Sequence, residues 1–192
     1  MVVRPRLLIA SAVALPIVLG ATLNRPEMQL KAYTTVLGVA RQHWGHVATP
    51  GYVYKTLDDR FYKDRSTISD MGFGESGRYL VRAFVRYVAV PLPWEARSAS
   101  ALAYLPEQLV WYGIAALLPF GILFGLRRDA VAACVLLATA SIAVVSVALT
   151  SGNVGTLVRH RGLALPYLIC LSAVGFCELL SRAVSTRGRV IS

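Results

Sequence analysis

The sequence predicts an all-α integral membrane protein, with about four membrane-crossing helices plus an interfacial amphipathic helix. Three observations predict it. The 192 residues are 56% hydrophobic and only 16% charged, against about 45–50% and about 25% in soluble domains. The apolar excess is gathered into blocks rather than spread along the chain. Basic residues flank those blocks, as topology-setting charges do.

The formal charge is +10, from 20 Lys+Arg against 10 Asp+Glu. Beside such apolar blocks, the anions this excess addresses are lipid headgroups and lipid-linked phosphates. It does not point to nucleic acid, because the basic residues flank spans instead of lining a groove. Cys134, Cys170 and Cys177 all fall inside predicted spans, so no disulfide framework is expected. They are read as small apolar packing residues.

Residues 1–23 are the first predicted span. Arg4 and Arg6 precede an apolar run from Leu7 to Leu23, the pattern of a signal anchor or of a secretory signal peptide. Leu19, two residues before the possible cleavage position Ala21, is not small, which favours the uncleaved anchor. The next segment lies outside on either reading.

Residues 24–101 form that external, basic segment. Met28, Leu30, Tyr33, Val36, Leu37 and Ala40 recur at helical spacing, predicting an amphipathic helix over 27–41 that ends at His43-Trp44-Gly45-His46. Tyr52 to Met71 reads as irregular, with Gly72, Gly74 and Gly77 as further breaks. An interfacial helix is predicted over 78–90. Arg78, Arg82 and Arg86 stack on one face and Leu80, Phe84, Tyr87 and Val88 fall largely on another. Three arginines are too costly for a lipid-facing span, at about 2.5–3.5 kcal/mol each near the midplane. Pro91-Leu92-Pro93-Trp94 ends this helix.

Residues 102–192 hold three more spans, over about 105–126, 130–149 and 163–180, and a basic tail. Trp111 and Tyr112 suit an aromatic belt, and Ser141 and Ser146 suit close helix approach. Arg4, Arg6, Arg127, Arg128 and the C-terminal arginines fall on one side. That places the protein in the plasma (inner) membrane with both termini cytoplasmic.

Several residues are candidates for chemistry. Arg159, His160 and Arg161 follow the glycine-bearing run Asn153-Val-Gly-Thr156. Two guanidinium groups, an imidazole and free backbone N–H groups can grip a phosphate; the same residues can equally rest on lipid phosphates without selecting any. Arg78, Arg82 and Arg86 either line a route for an anionic lipid or seat their helix on the bilayer. Asp58 and Asp59 are candidate general bases, although such acidic residues among Arg60, Lys63 and Arg65 are also ordinary ion-pairing surface. Glu107, after Pro106, suits the first turn of a helix and a weak substrate role. Glu178, with Arg182 four residues on, reads as a structural pair. His43 and His46 have H-x-x-H spacing, but no third ligand is evident, so no metal and no cofactor are expected.

The runs Arg82 to Trp94, Leu105-Pro-Glu-Gln-Leu-Val-Trp-Tyr112, and Ser151 to Arg161 ahead of Pro166 resemble the C-terminal part of polytopic bacterial envelope-polysaccharide proteins. These are similar to lipid-linked-sugar glycosyltransferases of the mannosyltransferase (GT-C) type. The resemblance covers roughly residues 55–180. It implies a part in cell-envelope glycan or lipid-linked sugar handling, with an anionic or polyprenyl-phosphate lipid as partner. Such enzymes are much longer and carry catalytic carboxylates after the first span, where this chain has no Asp-x-Asp pair. The expectation is therefore a truncated or accessory relative. A non-catalytic scaffold docking a larger membrane partner is the alternative. A small transporter fits less well, because no broken-helix pair is visible.

Overall fold

The computed structural model describes residues 24–47, 54–62, 66–95 and 102–190. The predicted first span over 1–23 lies outside the described residues. Among them the fold is all helical, with one isolated antiparallel bridge between Lys55 and Asn153.

Among the described residues, three helices are long and apolar enough to cross a membrane: α5 (Leu105–Arg128), α6 (Ala130–Thr150) and the Leu165–Ser185 part of α8 (Leu165–Val190). Twenty-one helical residues extend about 30 Å, the thickness of a hydrocarbon core. Their large apolar side chains stand largely on the outside: Leu109, Leu123, Ile142 and Phe176 are all exposed. Such surfaces suit lipid rather than water.

α5 and α6 are joined through Asp129 alone, which caps α6 by accepting from the Val131 and Ala132 N–H groups at 3.1 Å each. α8 lies against α5 at very close range. A Cβ on Gly121 would sit 2.0 Å from the Leu171 carbonyl oxygen, and one on Gly175 would sit 2.6 Å from the Gly121 nitrogen. Ser172 Oγ donates to the Ile114 carbonyl at 2.9 Å in the same seam. Close approach therefore rests on these glycines. Ser141 and Ser146, expected to provide it, are exposed on α6, whose buried residues are Ala133, Ala140, Val147 and Ala148. The three cysteines, expected to pack, are exposed too.

The remaining elements are α1 (Pro26–Gly45), α2 (Asp59–Tyr62), α3 (Ser66–Ser69), α4 (Phe73–Ala89), a 3₁₀ turn (Pro93–Glu95) and α7 (Val154–Arg161). They gather at the ends of the long helices opposite Arg127, Arg128 and Arg182. α1, α3 and α4, with the segments between them, share the core Ala40, Leu57, Ile68, Met71, Tyr79 and Ala83, while Val154 and Leu157 of α7 join Tyr87, Val90 and Trp111 in a second core.

Several predicted boundaries move. α1 runs on through His43 and Trp44 to Gly45, because His43 is buried against the end of α6 and its packing extends the helix. The 52–71 region holds two short helices and the Lys55 bridge. α4 begins at Phe73 rather than Arg78, so Gly74 and Gly77 lie inside it and only Gly72 precedes it. Its buried face, Ser76, Tyr79, Ala83 and Tyr87, packs on protein, while Val81, Val85 and Val88 stand exposed. The 153–161 run, which lies between two predicted spans, is helical from Val154, with Asn153 as its cap accepting from Gly155 N–H at 2.9 Å.

Candidate functional site: two side-chain-capped helix ends and a cavity

An α-helix ends with four carbonyls that lack partners inside the helix. Near an apolar phase such groups must be met by other protein atoms. Two helix ends here are closed by side chains from distant parts of the chain.

The first is the end of α4. Trp111 Nε1 donates to the Val88 carbonyl at 2.9 Å, and Tyr112 Oη donates to the Ala89 carbonyl at 2.6 Å. Gln108 Nε2 spans both carbonyls at 3.3–3.4 Å. Gln108, Trp111 and Tyr112 stand at i, i+3 and i+4 of α5, on one face. Arg161 completes the set. Its Nη2 donates to the Tyr87 and Val90 carbonyls, and its Nη1 donates to Gln108 Oε1 at 2.7 Å. The guanidinium lies over the Trp111 ring, 4.7 Å from its centroid, and 5.5 Å from that of Tyr87. A cation at this point also meets the negative pole of α4. Burial pulls the Arg161 pKa down to about 10, so it remains charged at neutral pH.

The second is the end of α6. The Leu149 carbonyl accepts from Tyr79 Oη and from His43 Nδ1, the latter at 3.2 Å. Tyr62 Oη donates to His43 Nε2 at 2.8 Å, and Thr56 Oγ1 donates to the Gly152 carbonyl at 2.9 Å. Both imidazole nitrogens thus have protein partners. Burial lowers the His43 pKa to about 4, so the ring is neutral. A Cβ on Gly152 would lie 2.1 Å from the His43 carbonyl oxygen, so α1 rests directly on this turn.

A cavity of about 260 Å³ lies beside the first cap, between the start of α5, α7 and the start of α8. Arg159, Arg161 and Glu107 reach it from one end. Val110, Ile114, Val158, Leu165 and Ile169 make an apolar wall. Val110 and Ile169 are exposed at its edge, so it opens towards the outer surface of the helix pair. Arg161 Nε, on a residue only 5% exposed, has no hydrogen-bond partner among the described residues.

The predicted phosphate cluster is therefore divided. Arg159 is exposed at the cavity. His160 is exposed as well, its Nδ1 donating to the Thr156 carbonyl at 2.8 Å. Arg161 is a buried cap. All three sit in the last turn of α7, at the opposite end from the Gly155 N–H, so that glycine does not help them hold an anion.

The arginine ladder is divided too. Arg86 Nε donates to the Thr56 carbonyl at 2.5 Å, Arg82 pairs with Asp58 at 2.5 Å, and Arg78 is exposed. The Arg82 guanidinium holds the Asp58 carboxyl below the usual carboxylate range. Asp59 pairs with Lys55 at 2.5 Å. Glu107 lies in the first turn of α5, as expected, and Glu178 pairs with Arg182 at 2.9 Å.

Sequence reading missed the capping roles of Gln108, Trp111, Tyr112 and His43. The only local signal was the i, i+3, i+4 placement of the first three. Trp111 and Tyr112, read as an aromatic belt, instead bind the α4 carbonyls.

Compared with known protein families, curated proteins and solved structures, the chain matches none. Among the described residues, fold and site together define an all-helical arrangement with three helices fit to cross a membrane and, at one end of them, a largely apolar cavity that two arginines and a glutamate also line.

Proposed function

We propose that this chain is a multi-pass plasma-membrane protein that binds an anionic, polyprenyl-phosphate-type or sugar-linked lipid during cell-envelope glycan handling. The observation that carries this reading is the cavity beside Arg161. It has an apolar wall fit for a lipid chain and, at its other end, an exposed Arg159, a buried Arg161 with an unpartnered Nε, and Glu107. Arg159 and Arg161 Nε take the phosphate oxygens, and Glu107 accepts from a hydroxyl of the attached group. About 260 Å³ is below the roughly 300–1,000 Å³ of sites that enclose a drug-sized ligand. The cavity thus takes a headgroup while the chain lies outside along α5 and α8. In this reading residues 1–23 add a fourth span and both termini are cytoplasmic. α4 lies at the interface with Val81, Val85 and Val88 towards lipid. The resemblance to GT-C-type envelope proteins supports the same substrate class.

A binding role, as an accessory protein or scaffold that presents the lipid to a larger membrane partner, is favoured over catalysis by the carboxylates. Asp58 and Asp59 are each held in an ion pair. Asp58, stabilised in its charged form by Arg82, is thereby a poorer base.

The test is purification in native lipid with mass spectrometry of the bound lipids, for the parent and for Arg159→Glu. Enrichment of a polyprenyl-phosphate or sugar-linked lipid with the parent, lost in the variant, is the expected result. Bulk phospholipid alone in both would overturn the reading.

A further inference from the structure

A second cavity, of about 220 Å³, lies towards the other end of α4, between the 57–61 segment and the helix's first turns. From Arg78 to Tyr87 the helix rises about 13 Å, which separates this cavity from the capped end. Glu75, Arg78 and Arg82 enter it from one stripe of α4, and Arg60 enters from α2. Its apolar side is Phe61 against Tyr79, two rings stacked at 5.4 Å and 6°.

The charges select the ligand. Three arginines against Asp58 and Glu75 leave one net positive charge. Arg82 is engaged by Asp58, and among the described residues neither Arg60 nor Arg78 has a salt bridge. Two guanidinium forks facing one cavity match a carboxylate bidentately. A phosphate monoester, at about −1.5 to −2, overshoots the single available charge. Glu75 is placed to accept from hydroxyl groups, and the half-buried Phe61 ring offers a flat apolar face.

We infer that this cavity binds a small acidic sugar carrying one carboxylate, held by Arg60 and Arg78 with its ring against Phe61. The site is independent of the lipid cavity and stands or falls apart from it.

Isothermal titration of the full chain in detergent, with glucuronate, glucose and inorganic phosphate, tests it. Glucuronate is expected to bind saturably and glucose not measurably. Arg78→Gln should weaken glucuronate by about ten-fold or more, the loss expected for a charge-assisted hydrogen bond. Asp58→Asn should strengthen it, because it frees Arg82 and adds one unit of positive charge; a variant that merely damages the fold cannot do this. Arg159→Glu should leave glucuronate binding unchanged. Absence of saturable binding, phosphate binding as tightly as glucuronate, or indifference to both Arg78→Gln and Asp58→Asn would each overturn the proposal.

Discussion

Arg161 and Trp111 lie face to face, guanidinium over indole at 4.7 Å, and both donate to carbonyls at the end of the same helix, α4. One residue comes from α7 and the other from α5. The contact thus ties three elements together at one point, and it divides the neighbouring arginines by role.

Arg161→Gln should therefore destabilise the protein by about 3 kcal/mol, because it leaves the buried Tyr87 and Val90 carbonyls without their charged donor. Arg161→Lys should be intermediate, since an ammonium cannot fork between those carbonyls and Gln108. Arg159→Gln should change stability by less than about 0.5 kcal/mol. Thermal unfolding of the three variants in one detergent checks this. Equal losses for Arg159 and Arg161 would contradict the division of roles.

The α5–α8 seam makes a sharper steric prediction. Gly121→Ala puts a methyl group against the Leu171 carbonyl and should cost about 1–3 kcal/mol or more. Gly113→Ala, in the same helix with nothing within 4 Å, should be neutral or stabilise by up to about 1 kcal/mol. Detergent-dependent melting of the two variants separates packing from helix propensity.

His43 links stability to pH. Its folded pKa of about 4 lies below the unfolded value of 6.5, so the unfolded chain binds more protons between them. Its contribution is fully present above about pH 6.5 and is lost as pH falls towards 4, to an extent of order 3 kcal/mol. His43→Gln should be less stable at pH 7 but should lack this component of acid sensitivity. Unfolding measured from pH 7.5 to 4 reads the difference in slope.

The three cysteines test whether the apolar faces meet lipid. Cys134, Cys170 and Cys177 are exposed on helices α6 and α8. In intact membranes they should resist a membrane-impermeant maleimide applied to either side, and react once the protein is unfolded in detergent. Rapid labelling of all three in membranes would place these helices in water.

The long helices were legible from the residues alone. Hydrophobic run length is a local property, and the predicted spans from about 105 and 130 match α5 and α6 to within two residues at each end. The last predicted span begins two residues early because Gly162 and Leu163 belong to the turn after α7. The Glu178–Arg182 pair was a local signal of the same kind.

The site was less legible. Arg159, Arg161 and Glu107, singled out from sequence, do line one cavity, yet nothing local divides an exposed arginine from a buried one two residues away. Arg78 and Arg82 belong to a different cavity, completed by Arg60 and Glu75 from the fold.

By itself, then, the sequence determined the helical class, the three apolar helices and where the first two of them stop, because those features depend on residues close together in the chain. Only the tertiary structure decided that His43 and Tyr79 close the end of α6, and that Gln108, Trp111, Tyr112 and Arg161 close the end of α4. The reason is physical: their partners are main-chain carbonyls, which every residue carries, at sequence separations from 19 to 106. Such an acceptor has no signature in the sequence and becomes identifiable only when folding brings it to a donor.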